Sequence, residues 1–94
     1  MNHKFQILKM SADWCGPCKA TKPIFESFSE NNPEIECREV NVDAEGDLAK
    51  SYGVRSIPTL IFLKDGVDVE RHIGAFTLAQ IEELSSKVFG NSDL

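Results

Sequence analysis

The sequence predicts an α/β layered fold in which the first two strands run parallel and the last two form a hairpin. The apolar pattern gives the element order strand, helix, strand, helix, strand, strand, helix. The 94 residues fit one compact domain, residues 1–94, which would bury roughly 60 to 65% of its unfolded surface. No linker or internal repeat divides the chain.

The first half of the chain alternates between strands and helices. The apolar run 5–10 predicts a short buried strand, and residues 17–31 predict a helix whose apolar positions face inward. Residues 35–42 predict a second strand. Residues 43–52 then predict a short helix that Gly53 would cap.

The second half predicts a hairpin followed by a helix. Residues 59–63 are apolar and β-prone, and Asp65-Gly66 is a strong turn signal that joins them to a strand reaching Ile73. Thr77 and Gln80 have the spacing of a capping box. Apolar residues then recur at helical spacing on one face of the last helix: Leu78, Ile81, Leu84 and Val88. Residues 91–94 are expected to be a frayed tail.

The segment Trp14-Cys15-Gly16-Pro17-Cys18-Lys19 carries the chemistry. Two cysteines separated by two residues, at the point where a strand gives way to a helix, can close and reopen a small disulfide ring. The thiolate is the reactive form, and the unpaired N–H groups and dipole of a helix N-terminus stabilise it. We expect Cys15 in the first turn and Cys18 on the same side of the helix, where it can attack a mixed disulfide at Cys15.

A zinc site is the alternative for a Cys-x-x-Cys pair, because this spacing is also half of a four-ligand site. The other half is missing from the sequence. Cys37, His3 and His72 are scattered singly, with no second paired spacing. We therefore expect no metal, and no bound cofactor other than the redox-active disulfide Cys15–Cys18.

The charge balance and the first residues indicate which partners and which cell compartment to expect. Ten basic and fifteen acidic residues are intermixed and give a net charge of −5, which does not suggest a nucleic-acid surface. The start, residues 1–6, has no apolar stretch long enough for a signal peptide, and no segment could span a membrane. The lack of a signal peptide, together with the odd number of cysteines, predicts that the protein works in the reducing cytoplasm.

From about Ile7 to Phe89, the chain resembles the thioredoxin family in order and without large gaps. The resemblance depends on these segments: Trp14–Lys19, Pro23, Val40-Asn41-Val42-Asp43, Tyr52-Gly53-Val54-Arg55, Ile57-Pro58-Thr59, Lys64-Asp65-Gly66 and Gly74. In that family the bond matching Ile57–Pro58 is cis and faces the disulfide, so the resemblance assigns Pro58 to the active site.

The resemblance implies a protein disulfide reductase that carries electrons. Cys15 would attack a disulfide of a target protein, and Cys18 would resolve the mixed disulfide. Gly-Pro between the cysteines implies a reductase rather than an oxidant, recharged by the NADPH-dependent flavoprotein thioredoxin reductase. An apolar groove would receive the target chain, formed by Trp14, Gly16, Pro17, Ile57, Gly74 and Ala75. An alternative role for Trp14 is that its side chain is half-buried and packs against the rest of the domain.

The chain departs from the family in length. Thioredoxins usually carry an extra strand and helix before the segment matching Phe5–Met10. Without them, we expect a minimal thioredoxin-like fold: a four-stranded mixed sheet in the order 2-1-3-4 flanked by three helices, as in the glutaredoxin core. The strand at 35–42 then becomes an edge, and its charged residues guard against edge-to-edge pairing: Glu36, Arg38 and Glu39.

A second departure exchanges two charges beneath the disulfide. The family places a buried Asp at the position of Lys9 and a Lys at the position of Glu39. We hypothesise that Lys9 and Glu39 pair, because an unpaired buried charge is costly, and that Glu39 relays a proton for Cys18. The alternative is that both side chains extend to water, because the missing first strand opens this region.

Some assignments stay open at this point. A glutaredoxin-type enzyme recharged by glutathione is one alternative function, and a non-catalytic, thioredoxin-shaped partner subunit is another. Cys37 is interpreted as a half-buried strand residue, with a regulatory thiol as its alternative. His72 and His3 are expected at the surface and Tyr52 in packing. A monomer is the expected oligomeric state.

Overall fold

The computed structural model describes residues 4–90, so that His3 and the predicted tail 91–94 lie outside the described residues. Its strands are β1 (Phe5–Ser11), β2 (Ile35–Asn41), β3 (Thr59–Lys64) and β4 (Val67–Ile73). Its helices are α1 (Gly16–Asn31), α2 (Gly46–Ser51) and α3 (Leu78–Phe89). The element order is the predicted one.

The four strands form one sheet in the order β2-β1-β3-β4, which confirms the predicted fold. β1 pairs with β2 in parallel and with β3 antiparallel, and β3 and β4 form the hairpin. The register places Lys9 opposite Glu39 on β2 and opposite Leu60 on β3. Lys9 therefore lies in the middle of the sheet, beside the edge strand that carries Glu39.

Two apolar clusters, one on each side of the sheet, hold the helices. The larger cluster joins α1 and α3 to the sheet through Phe25, Phe28, Ile81 and Phe89, among others. The smaller one packs α2 and the residues after it against the opposite side of β1, β2 and β3, and includes Leu8, Met10, Val40, Ile61 and Leu63, with Tyr52 packed against them. The predicted inward faces of α1 and α3 are confirmed, as is the packing role of Tyr52.

Local signals in the sequence correctly located the hairpin turn and the start of α3. Asp65 and Gly66 have φ angles of 52° and 81°, as a two-residue turn with both central residues in the left-handed region requires. The Thr77 hydroxyl accepts from Gln80 N at 3.1 Å, and the Gln80 side chain accepts from Thr77 N at 2.8 Å. The capping box is therefore formed reciprocally.

The segment between β2 and α2 differs from the sequence prediction. The predicted helix 43–52 begins only at Gly46, because the Asn41 side chain accepts from Asp43 N at 2.9 Å and holds a turn there. Val42 lies just past β2, but its N–H still donates to Ser11 O at 2.8 Å. The start of this turn is thereby fixed to the end of β1, next to the cysteine motif.

Candidate active site

Cys15 and Cys18 lie at the start of α1 and form a disulfide with their Cα atoms 5.2 Å apart. Cys15 is the N-cap of the helix, one position before the first turn in which the sequence placed it. Its Sγ accepts from Cys18 N at 3.2 Å. The Cys18 N–H, which belongs to the start of the helix, therefore points at the Cys15 sulfur, where it and the helix dipole stabilise negative charge.

Both cysteines of the pair are buried in the disulfide form. Cys15 is 5% exposed and Cys18 is 2% exposed. The first turn of α1 contains no acidic residue that would oppose a thiolate at Cys15. Ala12 belongs to the same buried cluster, and Val42 and Ile57 pack against it.

The predicted groove residues lie on three segments around this pair. Trp14 is 68% exposed, and its Nε1 donates to Asp43 Oδ2 at 2.8 Å, so that the indole is an exposed surface and not a packing residue. Gly16 and Pro17 are exposed beside it. The indole therefore remains available for contact with another chain.

The other two segments approach from β3 and β4. Ile57 is partly buried and packs against the cysteine cluster, and the Ile57–Pro58 peptide bond is cis. Gly74 N donates to Pro58 O at 2.8 Å, which joins the Gly74–Ala75 segment to the one before β3. Gly74 has φ 101°, a conformation that residues with a side chain rarely adopt.

Lys9 is fully buried beneath the disulfide, with 0% of its side chain exposed. Its Nζ donates to Cys18 O at 2.8 Å and to Glu39 Oε2 at 3.0 Å. The hypothesised Lys9–Glu39 ion pair is therefore formed, and the alternative in which both side chains extend to water is wrong for Lys9. The Glu39 side chain is 31% exposed at the edge of the sheet.

The sequence-based prediction did not include two groups of this network, the Ser11 hydroxyl and the Cys18 carbonyl. Ser11 is 5% exposed, and its hydroxyl donates to Glu39 Oε2 at 2.9 Å. The backbone carbonyl of Cys18 is the second acceptor for Lys9. Strand alternation places Lys9 and Ser11 on the same face of β1, and this signal could have identified Ser11.

A surface cavity of about 420 Å³ opens beside the network. Cys18 and Glu39 both line it, together with Ser11 and the lysines of α1 that face it, Lys19 and Lys22. Cys18 and Glu39 therefore border the same solvent-accessible space.

Cys37 has the packing role that the sequence favoured. Burial raises the pKa of Cys37 to about 11; a hydrogen bond from Ser29 lowers it, and the nearby carboxylates Glu34 and Glu36 raise it. The side chain also packs against the larger apolar cluster. A thiol held protonated at neutral pH is a poor candidate for regulation by oxidation.

We expect alkylation of Cys37 in the oxidised protein to be on the order of 100-fold slower at pH 8 than in the unfolded chain, because the unfolded thiol has a pKa of about 8.5. The rate should rise about tenfold per pH unit until the pH approaches about 11. Iodoacetamide labelling followed by mass spectrometry measures this. Equal rates in the native and the guanidinium-unfolded chain would contradict the buried, protonated thiol.

His72, the one histidine among residues 4–90, lies on β4. His72 Nε2 contacts Ala75 O at 3.0 Å, and its ring meets Phe76 edge-on, so that it is partly buried rather than a free surface residue.

Among residues 4–90, no group of three or more His, Cys, Asp and Glu side chains is placed to hold a metal ion. In the same part of the chain, no helix is both long and apolar enough to cross a membrane.

Comparison with known proteins agrees with this geometry. The thioredoxin family profile matches residues 1–87. The thioredoxin of Chlamydia trachomatis is 38% identical over 81 residues, which cover 86% of this chain and 79% of that protein. Thioredoxin-1 of Saccharomyces cerevisiae is 39% identical over 72 residues, covering 77% and 70% of the two chains.

Solved thioredoxin structures share the fold. A thioredoxin of Nicotiana alata superposes with a TM-score of 0.86 at 32% identity and covers 93% of this chain and 75% of its own. The thioredoxin of Fasciola hepatica gives 0.85 at 32% identity, with 92% and 82% covered. The fold and the cysteine pair at the helix start define a thiol–disulfide oxidoreductase. The chain belongs to the thioredoxin family.

Proposed function

We propose that this chain is an electron-carrying protein disulfide reductase, recharged by thioredoxin reductase at the expense of NADPH. The observation that carries the proposal is the Cys15–Cys18 pair at the start of α1, with the Cys15 sulfur held against a backbone N–H of the helix start. The exposed indole of Trp14 and the segments at Ile57 and Gly74 support a groove for a target chain. No bound cofactor is needed, because the disulfide itself carries the two electrons.

The proposed reaction has two exchange steps. The Cys15 thiolate attacks a target disulfide; a bond forms between Cys15 Sγ and one target sulfur, and the other target sulfur leaves as a thiolate. The Cys18 thiolate then attacks Cys15 Sγ, which forms the Cys15–Cys18 disulfide and releases the second target thiolate. Two electrons pass to the target, whose thiolates take up protons from water. The flavoprotein returns two electrons from NADPH to the disulfide.

We propose Glu39 as the acceptor of the Cys18 proton. Glu39 and Cys18 line the same cavity, so that water can connect them, and Lys9 and Ser11 hold the carboxylate through Oε2. A Glu39→Gln variant keeps a similar shape but is a much weaker base. If that variant resolved mixed disulfides at the parent rate across the pH range, this role would be wrong.

The same proposal includes the binding partner, the oligomeric state and the cell compartment. The groove residues Trp14, Gly16, Pro17, Ile57 and Ala75 are proposed to contact an extended target segment through apolar surface, with Gly74 and Pro58 shaping the groove floor. A monomer in the reducing cytoplasm suits a carrier that must dock in turn on a reductase and on its targets.

The experiment is NADPH-coupled reduction of a model protein disulfide with two alternative electron sources. We expect turnover with thioredoxin reductase and little with glutathione plus glutathione reductase. Turnover with glutathione alone would reassign the chain to a glutaredoxin-type activity. Absence of turnover with either source, in a protein that is folded and whose Cys15–Cys18 disulfide can be reduced chemically, would favour a non-catalytic partner subunit.

A further inference from the structure

The Lys9 ammonium is a fully buried charge that contacts the resolving cysteine. It has 0% exposure and donates to the backbone carbonyl of Cys18 at 2.8 Å. Its counterion in the oxidised protein is Glu39, at 3.0 Å. The buried charge nearest to the reacting sulfurs, within residues 4–90, is therefore a cation.

The two charges of the pair differ in their contact with water, and this difference decides the sign of the field at Cys18. Glu39 is 31% exposed on the edge strand and lines the open cavity, so that solvent screens its charge. Lys9 is enclosed on every side, and its charge acts through the low dielectric of the interior. The net effect on a thiolate at Cys18 is therefore attractive.

Other charged groups face Cys18 from the neighbouring segments. Lys19 and Lys22 of α1 and Asp13 of the segment before it line the same cavity. All three are exposed, so that water screens their charges as well. Lys9 is the one charged side chain among these that is both buried and hydrogen-bonded to Cys18.

We propose that Lys9 is a positioning residue that exchanges its counterion during the reaction, from the Glu39 carboxylate to the Cys18 thiolate. The Cys18 S–H bond breaks, the proton passes to Glu39 through the cavity, and the electron pair stays on Cys18 Sγ. The three groups carry a net charge of zero before and after the transfer. When the Cys18 thiolate attacks Cys15 Sγ and loses its charge, Glu39 releases its proton to water, so that the carboxylate is again the counterion of Lys9 in the oxidised protein. The buried ammonium thus keeps an anion at each stage, which avoids the cost of an unpaired buried charge. This inference rests on the proposed function of Cys18 as the resolving thiol.

The test measures thiolate formation at Cys18 directly, without a target or a reductase. In a Cys15→Ser, Cys37→Ser background, Cys18 is the only thiol, and its ionisation is followed by the ultraviolet absorbance of the thiolate against pH. We expect Lys9→Met to raise the midpoint by about one pH unit or more, because an attractive buried charge is lost. Glu39→Gln should lower the midpoint, because a repulsive charge is lost.

Lys22→Met is the matched control, since it removes a lysine of the same cavity that is exposed to water. Its shift should be a small fraction of the Lys9→Met shift. An unchanged midpoint in folded Lys9→Met, or a raised midpoint in Glu39→Gln, would overturn the proposal. If Lys9→Met does not fold, Lys9→Gln takes its place, because the amide can still donate to Cys18 O but carries no charge; it should raise the midpoint in the same direction. A failed NADPH assay with the expected midpoints would instead contradict the proposed function alone.

Discussion

Cys15→Ser is expected to abolish NADPH-coupled turnover, with a loss of more than about 1000-fold. A serine hydroxyl cannot form the covalent bond to a target sulfur on which the first exchange step depends. The helix start would still stabilise negative charge, but no thiolate would form at position 15 to use it. The coupled assay with thioredoxin reductase measures the loss directly.

Cys37→Ser is the matched control for this prediction, because it removes the third cysteine from a half-buried strand position away from the disulfide. We expect it to keep turnover close to that of the parent. Comparable loss in both variants would mean that cysteine replacement disturbs folding rather than chemistry. A Cys15→Ser variant that kept its biological role in its source organism would favour a partner subunit whose cysteines are incidental.

Cys18→Ser separates the two steps of the same mechanism. The Cys15 thiolate can still attack, but the mixed disulfide is no longer resolved from within the chain. The variant should therefore accumulate as a covalent adduct with the target, visible by mass spectrometry and lost on chemical reduction. Release of the target at the parent rate would assign resolution to another thiol.

The sequence predicted most of the fold, because most of its signals act over a few residues. The turn at Asp65-Gly66 requires positive φ at both positions, and glycine and aspartate tolerate that conformation. Thr77 and Gln80 satisfy each other's backbone N–H groups without help from the rest of the chain. The predicted start of α2 was wrong for a related reason, because the Asn41 side chain stabilises a turn that competes with the helix.

The network beneath the disulfide could be predicted only in part. The resemblance to the family suggested that Lys9 and Glu39 pair, but the contact depends on the register of two parallel strands that are far apart in the sequence. The Lys9 contact with Cys18 O further depends on how α1 packs over the sheet. Long-range packing of this kind decides which charge is buried and which is exposed, and no local pattern contains that information.

Phe28 is one of the residues whose truncation should cost the most stability. It is 1% exposed in the larger apolar cluster, near the C-terminal end of α1. Phe28→Ala removes most of a ring and leaves a cavity that the surrounding strands and α3 can only partly fill. The expected loss is about 3 to 5 kcal/mol in the free energy of unfolding. For a domain of this size, this lowers Tm by more than about 10 °C.

Guanidinium unfolding of the oxidised protein, with Tm from calorimetry, measures the change. Glu26→Ala is the matched control, because Glu26 lies on the exposed face of the same helix and should change stability by less than about 0.5 kcal/mol. An unchanged Tm in Phe28→Ala would mean that the helix is not anchored through this ring.

The same variant also tests whether anchoring of α1 and chemistry at its start are separable. The buried residues of α1 are Cys18, Thr21, Phe25 and Phe28, which form one inward face along the helix. The cysteines are held at the opposite end from Phe28 by Lys9 and by the cluster with Ile57. We therefore expect folded Phe28→Ala to retain turnover near that of the parent at temperatures well below its Tm. A fall in turnover without unfolding would show instead that packing at the far end of α1 positions the cysteines.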